Sequence, residues 1–165
     1  MGFKEIKVTD IKDNLIEKVS REWMLICAGD TADNCNMMTA SWGFFGEIWN
    51  KHCAITLIRP QRYTLPFVDS NDRFALCFFG NNKEPHKICG YKSGREVNKI
   101  AETGLTPVVL DGTIYFEEAE TVMICRKLYV SEINKDGFID KECLKNYNND
   151  FHKLFIAEIE KVLIK

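Results

Sequence analysis

Short apolar runs broken by polar turns dominate this chain, and most of them have the length and period of strands. Residues 3–8 form a first short candidate. Asp10 then stands as a helix cap before Ile11, Leu15, Ile16 and Val19, which recur at helical spacing. Trp23-Met24-Leu25-Ile26-Cys27-Ala28 is a continuous apolar run ending at Gly29-Asp30, as a buried strand would be. A second strand is expected over residues 36–43, a turn over residues 46–50, and a third, central strand over residues 52–58. Thr64 caps a short helix reaching about Ser70, residues 73–79 read as a strand, and residues 84–91 as one or two helical turns. Ser93-Gly94-Arg95-Glu96 has the form of a capping box opening a helix that stops at Gly104. Asp111-Gly112 marks a hairpin within residues 105–116. Long strands follow over residues 121–133 and 151–164, with a short helix capped by Asp140 between them.

About eight strands against three or four short helices, without regular alternation, predict a mainly β barrel or sandwich with helical excursions. At 165 residues the chain reads as a single domain over residues 1–165. Lys plus Arg number 22 against 24 for Asp plus Glu, so the net charge is only −2. That balance gives no general electrostatic case for nucleic acid or an anionic membrane, and any bound anion needs a local cluster of cations. The apolar runs are too short to span a bilayer, and the start of the chain has no signal-peptide pattern. Seven cysteines, widely spaced and partly embedded in strand patterns, fit a reducing compartment, so a cytoplasmic location is expected.

Two metal-like patterns carry little weight. In Asn134-Lys135-Asp136-Gly137-Phe138-Ile139-Asp140, the calcium-loop register puts Cys143 where a bidentate Glu is required, and a plain turn is expected. His86-x-x-Cys89 lacks a second ligand pair at suitable spacing.

Three polar segments remain. In residues 36–43, strand alternation puts Met38, Ala40 and Trp42 on one face and Met37, Thr39 and Ser41 on the other. A face with two hydroxyls fits an apolar core poorly. The second segment holds Arg59, Arg62 and Thr64; the third holds Lys92, Ser93, Gly94, Arg95 and Lys99. Guanidinium forks, hydroxyls and the backbone amides of a helix start near Gly94 suit a phosphate monoester.

Taken in order, Asn36-x-Met38-Thr39-Ala40-Ser41-Trp42, Arg59-Pro60-x-Arg62-Tyr63-Thr64, Cys89-Gly90-x-x-Ser93-Gly94-Arg95 and the closing His152-Lys153-Leu154-Phe155-Ile156-Ala157-Glu158 resemble the successive signatures of the flavin reductase-like family, which includes the flavoredoxins. The resemblance implies a six-stranded Greek-key split barrel with short peripheral helices, usually a homodimer, with FMN near the subunit interface. It places Thr39, Ala40 and Ser41 against the flavin, with main-chain atoms meeting the ring's polar edge, Asn36 among the cofactor-binding residues, and Met38, Trp42 and Tyr63 as apolar walls. Arg59, Arg62 and Thr64 would hold the phosphate and ribityl chain, and Ser93 with Arg95 would close the site. His152 is a candidate contact to the second substrate. The implied activity is hydride transfer from NADH or NADPH to flavin, the cofactor carrying the chemistry. The alternatives are an electron carrier with tightly bound FMN and a protein redox partner, or a non-enzymatic FMN-binding protein. The chain departs from the family pattern at Met37-Met38, at Gly43-Phe44-Phe45-Gly46 and at Ala157.

Overall fold

The computed structural model describes residues 2–165. Among the described residues ten strands are present: β1 (Lys4–Ile6), β2 (Met24–Gly29), β3 (Cys35–Ala40), β4 (Gly43–Ile48), β5 (Lys51–Ile58), β6 (Arg73–Phe78), β7 (Pro107–Leu110), β8 (Thr113–Phe116), β9 (Thr121–Glu132) and β10 (Lys153–Ile164). The α-helices are short: α1 (Leu15–Glu17), α2 (Leu65–Ser70), α3 (Glu84–Tyr91) and α4 (Lys99–Thr103). The chain is therefore mainly β, as the hydrophobic pattern predicts. No helix among the described residues is long and apolar enough to cross a membrane.

The main sheet is antiparallel in the order β3-β2-β6-β9-β10-β5-β4, with β1 also paired to β10. Its two ends, β3 and β4, are separated in sequence only by Ser41 and Trp42. A sheet whose first and last strands are joined by two residues has to curl until its edges meet, yet no ladder closes the seam. That is a split barrel. Register shifts in β10 near Ile156/Ala157 and Ile159/Lys161 supply part of the bend. The eight strands of the main sheet exceed the six implied by resemblance, partly because the run over residues 36–43 divides at Ser41-Trp42.

The burial pattern follows from this curl. Every residue of β2 is buried, because both of its faces are covered. Met24, Ile26, Phe74, Leu76, Met123 and Phe155 pack in one cluster; Leu25, Cys27, Ala75, Cys77, Ile114 and Phe116 form another. The second cluster includes Cys89 of α3 and residues of the β7–β8 hairpin, whose turn places Asp111 and Gly112 at positive φ.

Three local expectations are corrected. Asn14, rather than Asp10, caps α1, its side chain accepting from the amides of Ile16 and Glu17. The β4–β5 turn is only Trp49-Asn50, both at positive φ, so β4 extends through Ile48. Ser93 does not open a helix. Its carbonyl accepts from Glu96 and Val97 in an isolated turn, while α4 starts at Lys99 under an Asn98 cap.

Candidate functional site

The seam between β3 and β4 opens into a cleft of about 320 Å³, reached by Met38, Thr39, Ala40, Ser41, Trp42, Arg59, Arg62 and His152. A smaller recess of about 150 Å³ shares Met38 and Arg62 with it and adds Tyr63, Thr64, Ser93 and Lys99. A third hollow, on the far side of Tyr63 and Lys99, includes Asn36, Gly94 and Arg95. The three segments singled out in the sequence thus converge along one connected depression.

Its wall is the free edge of β3. In an antiparallel strand the N–H and C=O of one residue point the same way, and alternate residues present theirs to the same edge. β3 pairs only with β2, so one row of main-chain groups is left over. Two cations answer that row. Lys99 Nζ donates to the carbonyl of Met37 at 2.8 Å and of Cys89 at 3.3 Å. Arg62 Nη2 donates to the carbonyl of Thr39 at 3.3 Å. Neither cation makes an ion pair among the described residues. Burial pulls the Lys99 amine below its ordinary range and neighbouring Arg62 adds to that. Burial likewise pulls Arg62 down, with Arg59 adding to it. Positive charge wholly or partly withdrawn from water and met only by carbonyl oxygens is a setting in which an anion is favoured.

Other residues are already engaged. Arg59 forms a 2.6 Å ion pair with Asp150, donates to the Asn146 carbonyl at 2.8 Å and lies over the Tyr147 ring. Asp150 consequently sits far below the usual carboxylate range, held there by the amide of Asn148 and by Gln61 and Arg59. Asn36 donates to the Thr64 hydroxyl at 2.8 Å in a buried contact that ties β3 to the start of α2. Thr64 occupies the cap position of α2 without a side-chain capping bond. The Thr39 hydroxyl turns toward α3, 3.2 Å from Nδ1 of His86, so its main chain rather than its side chain meets Arg62.

Tyr63 is wedged edge-on against Phe67, with the Arg95 guanidinium over its face at 4.9 Å. Arg95 also donates to the Gln61 carbonyl, and Ser93 Oγ accepts from the Arg95 amide. Gly94 lies so close to this group that an added Cβ would stand 2.3 Å from Asn36 Oδ1 and 2.6 Å from Tyr63 Cδ1. At the other end His152 Nδ1 meets the Tyr147 hydroxyl at 2.9 Å, its ring beside Trp42 at 5.3 Å. Trp42 is 43% exposed, whereas Met38 and Ala40 are buried, so the indole alone of that expected face is open to a ligand.

Gln61 lines the depression although sequence reasoning gave it no role there, whereas Lys99 lines it as a member of the third polar segment. What the sequence did not place was the burial of Lys99, which follows from its position at the start of α4 under the Asn98 cap. Gln61 carried no signal.

Residues 16–165 match the model of the flavin reductase like domain. The chain belongs to the flavin reductase-like family. The fold agrees with solved members. It is similar to an FMN-binding domain of a flavin reductase-like enzyme from Shewanella baltica, with a TM-score of 0.66 at 13% identity over 98% of this chain and 76% of that one. It is similar to flavoredoxin of Desulfovibrio vulgaris, with a TM-score of 0.68 at 19% identity over 87% and 69%. An FMN-binding protein from Thermus thermophilus, solved with bound cyclohexenone, gives 0.62 at 21% identity over 85% and 68%. No curated protein matches the chain in sequence.

Proposed function

We propose that the chain binds FMN along the free edge of β3 and works as a flavin oxidoreductase taking hydride from NADH or NADPH. The observation that carries the reading is the pair of cations at one edge strand, buried Lys99 and half-buried Arg62, whose hydrogen bonds among the described residues go to carbonyls alone. A phosphate monoester supplies the negative charge they lack. Arg62, Lys99 and Ser93 would hold the phosphate end, and the amides of β3 would meet the polar rim of the ring. Trp42 would wall its apolar body. Bound FMN supplies the hydride chemistry; the protein orients it and shields it from water. The flavin reductase-like family and the Shewanella and Thermus FMN-binding neighbours support FMN as the cofactor.

His152 is held by Tyr147 and faces the cleft from within the barrel wall, which suits the contact to a second substrate. The chain works as a homodimer in this reading. Exposed Trp49, packed on the exposed Tyr129, forms an apolar patch suited to a second copy. All seven cysteines are free thiols, which supports a cytoplasmic setting.

The reading is tested by adding FMN to the purified protein and following flavin fluorescence, then measuring NADH and NADPH oxidation with free flavin present. Quenching followed by turnover with either nucleotide is expected. Tight FMN binding without turnover would move the protein to the alternative of an electron carrier serving a protein partner, for which the flavoredoxin neighbour is the precedent.

A further inference from the structure

Beyond Trp42 lies a second, larger pocket, about 590 Å³, between α1 and the β3–β4 junction. Ser41, Trp42 and Leu57 belong to both its lining and that of the polar cleft, so the two are neighbours across one indole. Their chemistry differs sharply. The cleft presents Arg59 and Arg62, whereas no charged side chain lines the pocket. Its lining runs from buried Val19 and Leu57 to an exposed rim of Ile16, Phe44 and Trp42. The volume falls in the range of small-molecule sites.

We propose that this pocket binds an uncharged, planar aromatic substrate, of quinone type, next to the flavin. The proposal rests on the FMN reading for its reaction but not for its binding chemistry. A dinucleotide or a second flavin phosphate carries negative charge that has to be met by donors or left in water. This lining offers only the hydroxyls of Ser20 and Ser41 as side-chain donors apart from the Trp42 indole N–H. A flat neutral ring gains from burial against Trp42, Phe44 and Phe45 with no such cost. As the acceptor, a quinone there takes two electrons and two protons from reduced FMN, leaving the hydroquinone and oxidised FMN.

The test uses the oxidised, FMN-loaded protein and two probes, the neutral hydroxymethyl and the anionic sulfonate derivatives of anthraquinone. Equilibrium dialysis should show the neutral probe binding at least about tenfold tighter. Ile16 is 80% exposed and Phe44 is 61% exposed, so Ile16→Asp and Phe44→Asp should both fold. Each should weaken the neutral probe by about tenfold or more while FMN fluorescence titration is unchanged. Equal affinity for the two probes, or no effect of either variant, overturns the proposal. So does sedimentation showing a dimer that Ile16→Asp dissociates, since a second copy then fills the pocket. Selective probe binding by a protein that takes no FMN would overturn the flavin reading and leave the pocket standing.

Discussion

The ammonium group of Lys99 lies 2.8 Å from the main-chain oxygen of Met37, bridging α4 to the edge of β3. The residue is buried, at 6% relative exposure, and among the described residues its amine meets no carboxylate. Removing the charge while keeping a donor separates its two roles. Lys99→Gln should retain the fold yet weaken FMN by about 1.5–3 kcal/mol, the range for a hydrogen bond to a charged group. Fluorescence titration with FMN reads this directly. An unchanged dissociation constant would make Lys99 a strand-edge cap only.

The two arginines should part company. Arg62 meets the β3 edge, whereas Arg59 is held by Asp150, Asn146 and the Tyr147 ring. Arg62→Ala is expected to weaken FMN by about 1.5–3 kcal/mol. Arg59→Ala is expected to leave FMN affinity within about threefold and to loosen the segment around residues 146–150, since its ion pair is part-exposed and structural. Titration of both variants, with hydrogen exchange over that segment, decides it. A larger loss of FMN affinity in Arg59→Ala than in Arg62→Ala would reverse the assignment.

Much of this was legible in the chain itself. The strand runs, the Asp111-Gly112 hairpin and the convergence of three polar segments followed from period and residue chemistry, because those signals are local. The partners of individual polar groups were not, because they are set by strand order. Nothing near Arg59 in sequence announces Asp150, 91 positions away, and nothing near Asn36 announces Thr64. The Ser93 capping box misled for a physical reason. Glu96 and Val97 do bond back to the Ser93 carbonyl, but that turn is not extended, and Asn98 restarts the helix one turn later. The side-chain pattern of residues 36–43 marks a hydroxyl-bearing face; that cations of other elements meet its backbone is recorded by no side-chain pattern.

Gly94 tests the packing of the depression. A methyl group there would collide with Asn36, itself fixed by Thr64, and with Tyr63, fixed between Phe67 and Arg95. Neither neighbour is a loose chain end. Gly94→Ala should therefore cost about 1–3 kcal/mol of stability, as overpacking does. Thermal unfolding followed by circular dichroism measures it; a melting temperature equal to that of the parent would show that the loop simply shifts.

Two buried histidines, His86 and His152, make the stability depend on pH. Burial pulls His152 to about 4, with Arg59 adding to it, and pulls His86 to about 4, with Lys83 adding to it. In the unfolded chain both return to about 6.5. Between those values the unfolded state binds protons that the folded state refuses, so folding loses stability as pH falls from about 6.5 to 4 and holds its full value above 6.5. Each histidine contributes at most about 1.4 kcal/mol per pH unit within that window. Urea unfolding at pH 7 and pH 5 should show the decline. His152→Gln, which keeps a polar group beside Tyr147 without a titrating proton, should make it shallower. If the slope is the same in parent and variant, His152 is open to protonation in the folded protein, and its place in the cleft wall is less sheltered than its contacts with Tyr147 and Trp42 require.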